Sequence, residues 1–205
     1  MLPEGFVYLD EAVPGSLSDA KYAGRDNFVG APVDGYAAAR VVGSRELAEA
    51  LVKVSEAAHK LNLRLLFWDA YRPQRAVDHF IRWSKEPENG LTKEKHYPGL
   101  DRAQLIPLGY IAEKSGHSRG STIDLTLVDR LSGKELDMGG VFDYFGDISH
   151  PDTSSVSPRQ HENRMLLRQL MVQCGFRPLS TEWWHFTLEN EPYPDTAFDF
   201  PVRLP

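Results

Sequence analysis

Two polar stretches about sixty residues apart constrain this chain more than anything else in it. The first is Ser115-Gly116-His117-Ser118-Arg119-Gly120-Ser121-Thr122-Ile123-Asp124, the second Thr181-Glu182-Trp183-Trp184-His185-Phe186. Each runs into an alternating segment. Ile123, Leu125 and Leu127 alternate with Thr122, Asp124 and Thr126, which predicts a strand over 121–128. Trp184, Phe186 and Leu188 alternate with His185, which predicts a second strand over 183–188. Asp124 and His185 therefore leave their strands opposite the apolar side chains. Residues three apart on a regular strand face opposite sides, so Glu182 reaches the His185 face only if the chain bends first; Glu182 is placed on a turn. Gly116 and Gly120 flank His117, which suits a loop passing close to whatever the imidazole binds.

These residue types together point to one chemistry. A catalytic zinc keeps three protein ligands and an open position for a water, whose pKa it lowers to about 7. His117, Asp124 and His185 supply such a ligand set, and Glu182 supplies a further carboxylate to take the water's proton. Singly, each is more often a surface or satisfied core residue; the joint pattern carries the reading. A purely structural zinc would close with a fourth protein ligand. The spacing is not the helical H-E-x-x-H signature.

The remaining sequence predicts the frame. Ser44 caps a helix to about Leu61, with Leu47, Leu51, Val54, Ala58 and Leu61 as its buried stripe. Residues 63–68 form a buried strand that delivers Asp69, Tyr71 and Arg72 to its end. Pro73 opens the next helix, with Arg72 immediately before it. In isolation Arg72 reads as a surface ion pair; in a hydrolase it is a fixed donor for a developing oxyanion. Residues 86–110 read as a long polar loop with one short helix, of the kind that forms lids, and Lys134–Met138 as the return of a hairpin. Ser157-Pro158-Arg159-Gln160 is a capping box that starts a helix to about Cys174. Short extended segments are expected at Phe6–Leu9 and Ala37–Val42, and a packed aromatic arm over 191–205. Tyr22 reads as a packing tyrosine, Asp143 as a turn or cap carboxylate, and His59, His96 and His150 as surface histidines. Three helices and several short strands without regular βα alternation indicate an α+β fold: a small, mostly antiparallel sheet with helices on one face and the metal site on the other.

Length and composition set the bounds. The 205 residues fit one domain spanning 1–205. A formal charge of -6 with no basic stripe argues against nucleic acid. The single Cys174 excludes an internal disulfide and reads as a core residue on the last helix. No apolar run reaches the length of a membrane span, and the first residues lack a signal pattern, so the expectation is a cytoplasmic enzyme.

The pattern S-x-H-x-x-G-x-A-x-D followed by E-x-x-H resembles the D-alanyl-D-alanine metallopeptidases, and within them the VanX-type D-Ala-D-Ala dipeptidases. Asp19-Ala20-Lys21-Tyr22, Asp26-Asn27-Phe28, Trp68-Asp69-Ala70-Tyr71-Arg72-Pro73 and Glu191-Pro192-Tyr193-Pro194 extend the resemblance over nearly the whole chain. It implies one zinc ion on His117, Asp124 and His185, with Glu182 as general base and Arg72 stabilising the tetrahedral intermediate. It implies Tyr22 and Asp143 at the substrate ammonium and Ser115 at its carboxylate, the substrate being a free dipeptide. Antibiotic resistance, as to vancomycin, and dipeptide salvage use the same chemistry. Thr122 departs from the pattern, standing where it has Ala, and its hydroxyl needs a partner if buried. The rival within the family is a D,D-carboxypeptidase with a cleft open to longer muropeptides. A non-catalytic zinc-stabilised binding domain would need a damaged catalytic set, whereas Glu182 and Arg72 are both present.

Overall fold

The long central strands set the architecture, as seen in a computed structural model that describes residues 2–205. In chain order the elements are β1 (Phe6–Tyr8), α1 (Leu9–Ala12), β2 (Leu17–Ser18), β3 (Val42–Ser44), α2 (Arg45–Lys60) and β4 (Leu63–Asp69). They continue with α3 (Gln74–Ser84), α4 (Lys93–His96), α5 (Arg102–Leu105), β5 (Thr122–Asp129), α6 (Pro158–Val172), β6 (Phe176–Pro178) and β7 (His185–Leu188). The main sheet has the order β2-β4-β5-β7-β6. Only the β2–β4 pair is parallel; the other three are antiparallel. β1 and β3 form a separate antiparallel pair. The expected α+β class, with a mostly antiparallel sheet, holds.

Register does the work of bringing distant residues together. Asp69 on β4 pairs with Asp124 on β5, which pairs with His185 on β7. Directly opposed residues share a face, so one row of the sheet carries two acids and an imidazole. The irregularity between Phe67 and Asp69 re-aims the end of β4 into that row. β5 lies in the middle of the sheet, and both its faces are covered: Thr122, Asp124 and Thr126 are as buried as Ile123, Leu125 and Leu127.

α2 packs on β4 and on α6, which packs on β6. Leu47, Leu51, Val54 and Ala58 are buried as the periodicity requires. Leu61 is not: it is the C-cap and 51% exposed, because the helix stops at Lys60 and Asn62 turns the chain with φ 58°. Ser44 Oγ accepts from the Leu47 N–H at 3.1 Å, and Ser157 and Gln160 complete the reciprocal capping box of α6. Cys174 lies past the end of α6 and is half-buried against the core.

Several expectations need correction. Pro73 is the N-cap of α3, with extended ψ 144°, and Gln74 is its first helical residue. Lys134–Met138 makes a single bridge, Val128 to Glu135, and no strand. The second extended segment begins at Val42, not Ala37. β7 starts at His185 because Trp183 and Trp184 belong to the preceding turn. The 86–110 segment holds two short helices, tied down by the buried Arg102, which donates to Asn89 Oδ1 at 2.7 Å and lies 4.3 Å over the Trp83 ring. His96 is buried, not exposed, because α4 turns its ring inward onto the Asp143 carbonyl, 3.0 Å away.

The C-terminal arm is packed as expected. Phe198 and Phe200 meet Phe6 edge-on at 4.9 and 4.8 Å, and Phe200 stacks on Tyr71 at 4.0 Å. Its backbone also holds the loops of the sheet's functional end: Phe198 N donates to Ser118 O at 2.9 Å, Gln74 N to Phe198 O at 3.0 Å, and Tyr71 OH to Phe200 O at 2.9 Å. No helix is long and apolar enough to cross a membrane among the described residues.

Candidate metal centre and substrate cavity

His117 sits in a 3₁₀ turn, Gly116–Arg119, between two glycines that are needed for space. A Cβ on Gly120 (φ +84°) would lie 2.5 Å from the Phe6 ring, and one on Gly116 2.9 Å from Thr122 Oγ1. The Thr122 hydroxyl itself is satisfied by Thr187 Oγ1 at 2.9 Å, across the β5–β7 pair. The departure from Ala therefore costs no orphaned polar group.

The His117 ring is oriented by its outer nitrogen. Nδ1 lies 2.7 Å from the Ala70 carbonyl, which can only accept, so Nδ1 carries the proton and Nε2 presents a lone pair. That Nε2 is 3.3 Å from Asp124 Oδ2 and 3.3 Å from His185 Nδ1. His185 Nδ1 is in turn 3.1 Å from Asp124 Oδ1. One ligand atom from each residue lies within 4.8 Å of the others. Asp124 Oδ1 is buried and has no hydrogen-bond partner. Converging lone pairs with too few protons between them are what a divalent cation satisfies, so these three side chains fit a metal.

The electrostatics agree with that reading. Burial would raise the Asp124 carboxyl, but the His117 and His185 imidazoles outweigh it and hold the group well below the usual carboxylate range. Burial lowers His117, keeping its imidazole neutral. For His185, burial is overridden by the Asp124 carboxylate, which raises it; the cluster attracts positive charge.

Glu182 stands on the turn before β7, its Oε2 3.4 Å from His185 Nδ1, outside the set of three. Burial raises its carboxyl above the ordinary value. Arg72 reaches the same point from the end of β4. Its Nη2 is 3.6 Å from Asp124 Oδ2, and its guanidinium lies over the Tyr22 and Phe80 rings at 5.0 and 5.3 Å.

Asp69, expected at the end of its strand but without an assigned role, and Tyr36, which had no expectation attached, both belong to this arrangement. Asp69 Oδ2 accepts from Arg72 Nε at 2.9 Å and Oδ1 from Tyr36 OH at 2.6 Å, and the same carboxylate is 3.6 Å from His117 Nδ1. The signals for Asp69 were its place at the end of the buried strand and three residues before Arg72; Tyr36 had none. On the opposite wall Tyr22 OH donates to Asp143 Oδ2 at 2.6 Å. Asp143 has φ 56°, uncommon for a residue with a side chain. Its backbone carbonyl is held by His96. Burial pushes the Asp143 carboxyl well above its ordinary value, against the Tyr22 hydrogen bond, which lowers it.

All the anticipated site residues line one cavity of about 290 Å³: Tyr22, Arg72, Ser115, His117, Asp124, Asp143, Glu182 and His185. Tyr110 and Ile111, from the end of the long segment after α3, close part of its wall. The volume sits at the small end of the ~300–1,000 Å³ typical of small-molecule sites.

Sequence comparison accords with this geometry. The family profile described as D-ala-D-ala dipeptidase, Peptidase_M15, matches residues 3–203. A D-alanyl-D-alanine dipeptidase of Streptomyces coelicolor is 52% identical over 96% of this chain and 98% of its own length. One from Enterococcus faecium is 51% identical over 97% and 98%, and one from Enterococcus faecalis 48% identical over 98% and 100%. The chain belongs to the D-Ala-D-Ala dipeptidase family of M15 metallopeptidases.

Proposed function

We propose that this enzyme hydrolyses D-alanyl-D-alanine to two molecules of D-alanine, using one zinc ion held by His117, Asp124 and His185. The observation that carries the reading is the convergence of three lone-pair atoms, flanked by Glu182 at 3.4 Å and Arg72 at 3.6 Å, on one small cavity. When bound, the metal polarises the peptide carbonyl and makes a water acidic near pH 7.

The side chains supply the rest. Glu182 takes a proton from the attacking water and hands it to the departing amine as the C–N bond breaks. Arg72 offers N–H donors to the oxygen that gains charge. Asp69, and the Tyr22 and Phe80 rings, keep its guanidinium in place. Asp143, with Tyr22 beside it, receives the substrate ammonium, and Ser115 serves the carboxylate end. The raised Asp143 carboxyl fits this role, since a buried carboxylate lacks a cation until the substrate brings one.

Substrate length tests the reading. N-acetyl-D-Ala-D-Ala removes the ammonium with little added bulk, and its kcat/KM should fall ~10²-fold or more below that of D-Ala-D-Ala, the usual penalty for losing one partner of a buried charge pair. Equal rates would abolish the ammonium pocket and favour a carboxypeptidase of longer muropeptides.

Arg72→Ala should lower kcat by ~10²–10³, as loss of an oxyanion donor does, and raise KM less. Asp69→Asn should shift the same parameter by a smaller factor. A change confined to KM in both variants would recast Arg72 as a clamp on the substrate carboxylate.

A further inference from the structure

Asp143 occupies a backbone conformation that its own side chain does not explain. Its φ of 56° lies in the left-handed region, which a residue with a Cβ adopts only at an energetic cost and keeps only where its surroundings hold it. Its carboxyl faces the substrate cavity and receives one hydrogen bond, from Tyr22 OH at 2.6 Å. Phe142, one residue earlier, is anchored on the Trp68 ring at 4.8 Å. Where the Asp143 carboxyl points is therefore set by how the backbone is held from Asp143 onward.

His96, the last residue of α4 and buried, holds that backbone at two points. Its Nδ1 lies 3.0 Å from the Asp143 carbonyl, which can only accept, so Nδ1 carries the proton and donates. Its own carbonyl accepts the Phe145 N–H at 2.7 Å, two residues further on. No backbone N–H donates to the Asp143 carbonyl among the described residues, so the imidazole is its protein partner. The clamp is itself tied down. His96 N donates to Thr92 O at 3.0 Å, and Thr92 Oγ1 donates to Phe28 O at 2.6 Å.

We infer, resting on the ammonium role given to Asp143 above, that His96 is a positioning residue for substrate specificity: its ring N–H fixes the Asp143 backbone and so aims the Asp143 carboxyl at the substrate ammonium. His96 lines a separate cavity of about 360 Å³ and not the substrate cavity, so it reaches the substrate only through Asp143. Its loss should act on recognition of the charged amino end and spare the chemistry at the metal, which Glu182 and Arg72 serve from the other side of the cavity. A support of this kind holds a binding group in its productive geometry without touching the ligand.

Two substitutions in the metal-loaded enzyme separate the donor from the bulk of the ring. His96→Phe keeps a flat ring and removes the donor; His96→Asn keeps an N–H near the Nδ1 position and removes the ring. In His96→Phe, kcat/KM for D-Ala-D-Ala should fall ~3–10-fold, the usual worth of one hydrogen bond, chiefly through KM. The preference over N-acetyl-D-Ala-D-Ala should shrink by the same factor, and His96→Asn should restore most of both. In an Asp143→Ala background, His96→Phe should cost no more than ~2-fold further, because the two act as one unit. A preference undiminished in His96→Phe but lost in Asp143→Ala overturns the part given to His96 alone. An Asp143→Ala enzyme that keeps the preference overturns the ammonium pocket, and the part of His96 with it. A fall in kcat shared by both substrates, or a full additional loss in the Asp143→Ala background, would make His96 a packing residue and overturn its positioning role. If His96→Phe does not fold, His96→Ala takes its place with the same expectations, and His96→Asn remains the rescue.

Discussion

Glu182→Ala is expected to keep its metal and lose ~10²–10⁴ of its turnover, the usual worth of a positioned general base. The expectation follows from position. The carboxylate is 3.4 Å from His185 Nδ1 but outside the group of three atoms that close on one point. It stands on the turn, so truncating it leaves the strand that carries His185 intact. Metal content measured beside kcat separates the roles. His185→Ala should lose metal and turnover together. If Glu182→Ala loses the metal as well, Glu182 is a ligand and the assignment of base is wrong.

Metal removal should have the second large effect, on stability as well as on rate. A ligand held at about a thousand times its dissociation constant contributes ~4 kcal/mol, which for a chain of this size corresponds to ~8–16 °C in melting temperature. Chelation should therefore abolish turnover and lower the melting temperature by about that much. Asp124→Ala removes the proposed central ligand, so its melting temperature should ignore chelator, whereas Glu182→Ala should show the full drop. Turnover that survives complete metal removal, or an equal chelator effect on Asp124→Ala, would sink the proposed centre.

The elements legible in the sequence are those whose signals are local. The Ser44 and Ser157 caps, the α2 stripe apart from Leu61 and the alternation of β5 each need only a few neighbouring residues, and each stands where expected. The turn at Glu182 was legible because a strand period of two cannot put residues 182 and 185 on one face. What was not legible depends on partners far away in the chain. β2 is two exposed residues that become a strand only by pairing with β4. His96 looked like a surface residue until α4 turned it onto Asp143. Tyr36, in a glycine-punctuated arm, has no local mark of its bond to Asp69, 33 positions on. The site was readable as a set of residue types; its supporting hydrogen bonds were not.

The C-terminal arm also decides when the loops of the site are braced. Phe198 holds the Ser118 backbone, one residue from His117, and Phe200 covers Tyr71, one residue from Arg72. During synthesis, a nascent chain that has reached residue 190 already carries every proposed ligand, the base and Arg72, yet neither loop has its clamp. The loops that aim His117 and Arg72 thus gain these contacts only once residues 198–200 have been made and docked. A product truncated before residue 198 would hold the proposed ligands and base while leaving the loops that aim His117 and Arg72 unbraced.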